Sequence, residues 1–499
     1  MGVVFRQSLK GTVVTFVGAF IGFLTTFFVT TKYLTPGEIG LTRVIYEAGM
    51  LLAGFGMLGT QSSAIRYYPY FATSDGRDQG FFRYLMLIPF VGGLILMGLY
   101  LLLRTPITDY FSRQSADFSH FYFWVIPMMF FIIYQTVLEI YATLRERVSV
   151  VKLNREVILR ILLLAVYLTY AGRLVGLKGF IVLYVVTYGI AALLNLLYCR
   201  HLHPIGTRAP LSPVSSGLKK DFLSYTGLIV LASLSSNIVG RLDIFMVSSQ
   251  MGFDYGGIYS IAFFMVAVID IPSRSHISMT SPRVSAAVRE NDYLKAQEIF
   301  KSVAHNQIII GGLIFLLIWI NIDAIFEVIP NTEIYRNGKW VVFFLGLGRL
   351  VDISFSFGNA ILRYSPYYKW TIVLTLIVTI LTIVANYYFI LFWGITGAAI
   401  ATLGSLLMNY TISQILLKWK MDISPMDRDY LYIVGLYAAV IVLHHLLPDL
   451  PNPYLNGILR SLILLPPTLY LLSGLKASQP LKQQSLSLWK IIREKLNSH

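Results

Sequence analysis

The sequence predicts an all-α integral membrane protein with about 14 spanning helices, and three observations carry that expectation. Hydrophobic residues make up 56% of the chain and charged residues only 13%, against about 25% charged in soluble domains. An apolar excess of this size cannot be hidden in a water-soluble core and has to face lipid. Many apolar runs approach the roughly 20 residues that a helix needs to cross a bilayer, Gly11–Thr31, Phe81–Leu103, Val303–Phe326 and Trp370–Leu391 among them. The basic residues fall in short loops on alternate sides of these runs, the pattern that orients a membrane protein.

In order along the chain, the first six spans read as about 11–31, 39–61, 81–103, 119–141, 157–173 and 179–199. The next four read as about 222–247, 257–279, 303–327 and 340–362, and the last four as about 369–391, 395–417, 430–447 and 455–474. An even count puts both termini on one side, and that side collects 29 of the 40 basic residues. Both termini are therefore expected in the cytoplasm. The first span is expected to stay as a helix, because a short basic start is followed by a long apolar run without a small-residue cleavage site. Orientation also accounts for the net charge of +15, so nucleic acid is not an expected partner. The lone cysteine, Cys199, excludes an internal disulfide and any multi-cysteine metal site.

No inserted soluble domain is visible. The segment 201–221 is rich in proline, serine and glycine and reads as a cytoplasmic linker, and 280–302 reads as a surface helix with charges of both signs. Ser485–Leu496 is a short amphipathic stretch suited to a membrane surface. A weak internal repeat stands on either side of the linker. YLTPGEIGLTRVIYEAG, from Tyr33, and SSQMGFDYGGIYSIAFF, from Ser248, each place a short acidic, glycine-containing loop between apolar spans. The repeat suggests a parallel pair of lobes: residues 1–200 as an N-terminal six-helix lobe, 222–417 as a second six-helix lobe, and 418–499 as two additional helices with a cytoplasmic tail.

Three segments carry a family resemblance. Leu34–Pro69 holds a Leu-Thr-Pro-Gly-Glu-Ile-Gly loop, a glycine-rich span and then Arg66-Tyr-Tyr-Pro69. The stretch from Gly240, GRLDIFMVSSQMGFDYGGIYSIAF, pairs Arg241 with Asp243 ahead of Gly-Ile-Tyr, and Asn386–Ser405 contains Gly-Ile-Thr-Gly-Ala-Ala-Ile-Ala-Thr. Together, in this order along almost the whole chain, they resemble the polysaccharide-unit (O-antigen type) flippases of the multidrug/oligosaccharidyl-lipid/polysaccharide exporter superfamily. The resemblance implies two six-helix lobes around a central cavity plus two C-terminal helices, alternating access, and a bacterial cytoplasmic (inner) membrane. The implied cargo is an undecaprenyl-diphosphate-linked oligosaccharide of polysaccharide or lipopolysaccharide biosynthesis. No cofactor is implied beyond coupling to a proton or sodium gradient. Membrane lipids, a polysaccharide polymerase and glycosyltransferases are the implied partners of a monomeric protein.

Ionisable residues inside spans are costly and mark function or structural pairing. Arg43 and Glu47 lie four apart in span two, Asp270 and Arg274 four apart around Pro272 in span eight, and Arg349 and Asp352 three apart in span ten. Arg241 and Asp243 in span seven lie two apart, point to different faces and need other partners. Arginines grip a diphosphate through bidentate, charge-assisted hydrogen bonds. Arg43, Arg241, Arg349, Arg66 and Arg274 are therefore the candidate substrate ligands, with Glu47, Asp243, Asp270, Asp352 and Glu139 as pairing groups, competitors for the arginines or coupling-ion sites. Each pair can equally neutralise itself and seal helix contacts, and Arg66 and Arg274 lie where they can snorkel to headgroups. Asn359 and Asn386, with Gln61, Asn237 and Asn409, are candidate polar cavity residues; Asn386 serves equally well as a helix–helix hydrogen bond.

Other motifs carry nothing. Gly54–Gly59 fits G-x-G-x-x-G but lies inside an apolar span with no preceding strand. The pairs His201/His203 and His444/His445 lack companions at ligand spacing, so no metal is expected. With no nucleophile–base set and no P-loop, an enzyme is not expected. A lipid II flippase, a cation-coupled multidrug exporter and a membrane glycosyltransferase are the alternatives. The absence of cations between Lys10 and Lys32 argues against the first, the abundance of membrane arginines against the second, and the short loops against the third.

Overall fold

The computed structural model describes residues 3–71, 81–112, 118–145, 147–202 and 241–475. These residues are almost wholly helical and none lies in a strand. Among the described residues, ten helices are long and apolar enough to cross a membrane. The expected 14 is not reached by that measure, for three physical reasons. The span-two helix carries Glu38, Arg43 and Glu47 and is not among the ten. The span-five helix is regular only over the 13 residues Leu159–Ala171. Residues Tyr368–Met421 form one 54-residue element, broken inside by Gly394 at φ 58°, ψ −141°. Most of span seven, the linker 201–221 with Asn237 beyond it, and the amphipathic tail lie outside the described residues.

The chain divides into two compact units, Met1–Ser260 and Ile261–His499. In the first, α1 (Val3–Leu24) continues through a π-helical turn, Thr25–Thr30, to Tyr33. It is followed by α2 (Pro36–Gly56), α3 (Thr60–Phe71), α4 (Phe81–Leu102) and α5 (Arg104–Ser112). Then come α6 (Val125–Leu144), α7 (Val148–Leu153), a second π turn at Asn154–Ile158, α8 (Leu159–Ala171), α9 (Leu177–Leu202) and α10 (Leu242–Met251), with α11 (Phe253–Ala267) crossing into the second unit. α2 packs on α4 and α6, and α6 on α9.

The Leu34–Gly40 loop shows why its residue types occur together. Thr35 caps α2 by accepting from the Glu38 N–H, while the Glu38 carboxylate accepts from the Thr35 N–H at 2.8 Å, a reciprocal capping box with Pro36 at the first helical position. Tyr170 on α8 donates its hydroxyl to the other Glu38 oxygen. The glycines let backbones meet. A Cβ on Gly40 would stand 2.1 Å from the Phe253 carbonyl oxygen, and one on Gly257 would stand 2.0 Å from the Pro36 carbonyl oxygen. The two loops of the internal repeat therefore interlock through their glycines at the α2–α11 crossing.

The second unit contains α12 (Ile271–Arg289), α13 (Tyr293–Ile320), α14 (Ile322–Val328), α15 (Lys339–Tyr364), α16 (Tyr368–Met421), α17 (Arg428–Leu446) and α18 (Pro453–Ser473). The segment expected to be a separate surface helix, 280–302, is instead the ends of α12 and α13, joined by a tight turn with Asn291 at φ 58°. Pro272 sits at the start of α12, directly after a 3-10 turn at Val268–Asp270, where its missing N–H costs nothing. The core gathers Phe300, Phe315, Trp319 and Phe357, all fully buried. Gly312 lets the Tyr437 ring of α17 lie against α13, and the Tyr437 hydroxyl donates to the Ile309 carbonyl at 2.7 Å.

Candidate functional site

Each unit holds a cluster of charged side chains within its apolar helices. In the first, the centre is Glu47 on α2, only 3% exposed. Its Oε1 lies 2.6 Å from Arg43 Nη2, one turn back on the same helix, and its Oε2 accepts from Arg241 Nη1 at the start of α10. Asp243, two residues on and buried, accepts instead from the Tyr259 hydroxyl of α11 at 2.8 Å. The two members of this motif thus go to different partners, Arg241 to α2 and Asp243 to α11.

Tyr46, beside Glu47, stands within electrostatic reach of Arg43, Arg155 and Arg241 together. The Arg43 guanidinium lies over its ring, 5.5 Å from the centroid, close enough for a cation–π attraction. The ring pairs with Tyr188 at 5.4 Å, and Tyr188 with Tyr184 at 5.6 Å, so α9 contributes a ladder of phenols next to the guanidiniums.

Arg155, Glu156 and Arg160 belong to this cluster and were missed in the sequence as site residues. Arg155 Nη1 donates to Glu139 Oε2 of α6 at 2.8 Å, and its Nε lies 3.8 Å from Glu156 Oε1. Arg160 pairs with Glu156 at 3.0 Å and donates to the Gly18 carbonyl of α1. Gly18 admits this contact, since a Cβ there would stand 2.2 Å from the Glu156 carbonyl oxygen. The signal in the sequence was the Glu156–Arg160 spacing of four, hidden because the second π turn extends the helical path back past the apolar run.

In the second unit the centre is a cation. Arg349 Nη1 on α15 lies 3.4 Å from Asp270 Oδ2 and 3.9 Å from Asp352 Oδ2, and the guanidinium lies over the Phe263 ring at 5.0 Å. Asp352 also accepts from the Tyr410 hydroxyl of α16. Asp270, read in the sequence as pairing with Arg274, also faces Arg349 across helices. Arg274 lies on α12 and Arg66 on α3, and their side chains lie outside the described residues. Asn386 is fully buried on α16, and the Asn359 amide oxygen on α15 is buried without a hydrogen-bond partner among the described residues.

No protein-family model matches the sequence, and no curated protein matches it. Solved structures do. One described as the lipid II flippase MurJ in an inward closed conformation superposes with a TM-score of 0.67 at 14% identity, over 91% of this chain and 98% of that one. The fold is that of the MOP-superfamily transporters. An inward-facing multidrug resistance MATE family transporter of that superfamily matches with a TM-score of 0.60 at 15% identity, over 85% of this chain and 95% of that one. A MOP superfamily transporter from Pyrococcus furiosus, described as having a binding pocket of reverse polarity, matches with a TM-score of 0.53 at 12% identity, over 84% and 95%.

Proposed function

We propose that this protein is a secondary transporter that flips an undecaprenyl-diphosphate-linked oligosaccharide from the cytoplasmic to the outer leaflet of a bacterial inner membrane by alternating access. The observation that carries the reading is the arrangement in the first unit, where Arg43 and Arg241 converge on one buried acid, Glu47, beside the phenol of Tyr46. Two guanidiniums about one carboxylate form a preassembled anion site, and a diphosphate offers the same oxygens in greater number and charge. Glu47 then acts as an internal anion that holds the arginines until the headgroup displaces it. The fold likeness to transporters supports movement across the bilayer rather than chemistry on the cargo.

In this reading Arg349 of the second unit, flanked by Asp270 and Asp352, serves ion coupling more than headgroup binding, because among the described side chains there two acids face one cation. Both termini are cytoplasmic, and polymerase and glycosyltransferases supply and consume the cargo. The test is deletion of the gene followed by spheroplast labelling. The lipid-linked unit is expected to accumulate facing the cytoplasm; an unchanged distribution between leaflets would sink the proposal.

A second reading, export of lipid II, draws support from the fold likeness to a protein named as a lipid II flippase. It shares the prenyl diphosphate and differs in the sugar. Reconstituted vesicles offered lipid II and an O-antigen-type unit side by side separate the two readings by which one crosses.

A further inference from the structure

Glu139 differs from the other acids of the first unit. Both oxygens of Glu47 face arginines, and both oxygens of Glu156 do too, Oε2 to Arg160 at 3.0 Å and Oε1 to Arg155 at 3.8 Å. The Glu139 carboxylate has one hydrogen-bond partner among the described residues, Arg155 at its Oε2, and its Oε1 is buried without any. Arg155 in turn is the most exposed of the four arginines in the cluster, its side chain 53% accessible against 17% for Arg43. An accessible cation thus holds a largely enclosed acid. The residue sits on the π turn at Asn154–Ile158, a costly local geometry that tends to be kept where it positions a working group.

We propose that Arg155 and Glu139 form a proton-linked station for a phosphate group. A phosphate oxygen that takes the Arg155 guanidinium makes the stronger, bidentate contact and leaves Glu139 without its counter-ion in apolar surroundings. A carboxylate in that position neutralises by binding a proton, which comes from water and goes to a Glu139 oxygen. The bond to the proton in the donor, a hydronium ion or buffer acid in the water, breaks as the Glu139 O–H bond forms, and the exchange reverses when the phosphate leaves. Linkage is reciprocal, so a lower pH tightens phosphate binding.

The groups that act on Glu139 are Arg155 and Glu156 on the π turn and Lys152 on α7. On α2 stand Arg43, Tyr46 and Glu47, with Glu47 already held by Arg43 and Arg241, and on α9 stands Tyr188 against Tyr46. Lys152 is a point charge with no hydrogen bond to the carboxylate, and Glu156 has Arg160. Neither replaces Arg155 once it leaves.

The station deepens the reading above, because it rests on a cargo that carries a diphosphate. Glu139 lies near the end of α6 and Arg155 just beyond the following loop, the end that the charge bias of the sequence places in the cytoplasm, where the headgroup is first met.

The test uses the full chain in nanodiscs with two probes, inorganic pyrophosphate and undecaprenyl diphosphate. Titration calorimetry in two buffers of different ionisation heat counts the protons taken up per ligand bound. Relative to E139Q, the native protein should take up close to one additional proton per bound diphosphate. E139Q should still bind, with affinity independent of pH beyond the ligand's own titration. R155Q should weaken binding at least tenfold, and R155K, which keeps the charge without the fork, should fall between. Thermal unfolding of each variant checks that it is folded. Binding of both probes assigns the station to any phosphate; binding of undecaprenyl diphosphate alone assigns it to the lipid headgroup. Equal proton uptake in E139Q and the native protein, or native-like binding by folded R155Q, overturns the station and leaves the flippase reading standing. Failure of the native protein to bind undecaprenyl diphosphate at all overturns both.

Discussion

The centres of the two buried charge clusters, Glu47 and Arg349, are built with opposite arithmetic. In the first unit, Arg43 and Arg241 share one acid, Glu47, and Arg155 and Arg160 stand near Glu139 and Glu156. In the second, Arg349 faces Asp270 and Asp352 and is the one cation paired with them among the described residues. Burying charge is costly whichever sign is in excess, so neither imbalance is explained by neutralisation alone. A surplus of guanidinium suits a multivalent anion that arrives and leaves. A surplus of carboxylate suits a small cation. The difference teaches that the two units need not contribute equally to cargo binding and to coupling, and substitutions can break that assignment.

The largest effect is expected at Arg241. Removing one of the two guanidiniums about Glu47 takes a charge-assisted contact, worth about 3 kcal/mol at the upper end of the usual range, from the site offered to a diphosphate, while Arg43 still faces Glu47. Arg241→Ala should therefore lower transfer of lipid-linked oligosaccharide in reconstituted vesicles by roughly 100-fold. The double substitution with Glu47→Gln takes from Arg43 its acid as well and should recover neither folding stability nor transfer. Recovery of both would make the cluster a structural clamp.

Much of this was legible in the sequence and some was not, and the split follows the physics. Apolar excess and run length gave the all-helical membrane fold, because lipid leaves the backbone few other solutions. The Arg43–Glu47 contact was readable from a spacing of four on one helix. The Arg241–Glu47 and Arg349–Asp270 contacts were not, since they join helices and depend on packing that periodicity does not encode. Arg155, just outside span five, and Arg160, at its start, were counted as charges that orient the protein rather than as site residues. The π turn carries the helical path outside that apolar window. The contact of Asp270 with Arg349 was not readable because it joins the 3-10 turn ending at Asp270 to another helix, while the side chain of Arg274 lies outside the described residues.

A smaller effect should separate the two acids of the second unit. Asp270 is the nearer to Arg349 and the more enclosed, 16% exposed against 31% for Asp352, which the Tyr410 hydroxyl also holds. Asp270→Asn should reduce gradient-driven transfer by about tenfold, while Asp352→Asn should cost a few-fold at most, following the greater weight of the more buried charge. Equal losses would move the coupling site away from Asp270. Binding of undecaprenyl diphosphate should be unchanged in both variants. If it weakens, the second unit takes part in headgroup binding and the division between units is wrong.

The glycine interlock of the first unit predicts a stability change whose sign depends on place. Gly40→Ala would drive a Cβ to 2.1 Å from the Phe253 carbonyl oxygen, whereas at Gly404 on α16 nothing stands within 4 Å of the same atom. Overpacking at Gly40 should cost about 1–3 kcal/mol. Gly404→Ala should instead stabilise the helix by up to about 1 kcal/mol, since alanine has the better propensity. Thermal unfolding in detergent reads both, and a destabilised Gly404→Ala would show that propensity does not govern that face.

The smallest expected effect lies outside the spans, at Asp427, which caps α17. Burial raises its pKa, but the Tyr430 N–H at 2.9 Å, His305 Nε2 at 2.9 Å and the charge of Lys301 outweigh burial and hold the carboxyl below its usual value. A carboxyl depressed in the folded state adds stability above its unfolded pKa of about 4, and that stability is lost as pH falls through the lower folded value. Asp427→Asn keeps the helix cap and removes the charge. It should lower stability by about 0.5 kcal/mol at pH 6, modest because the side chain is about one-third exposed. The gap between the variant and the native protein should close as the pH is taken below 4, as read from unfolding midpoints measured side by side. A gap that stays constant across that range would mean that the cap geometry, rather than the charge, ties α17 to α13.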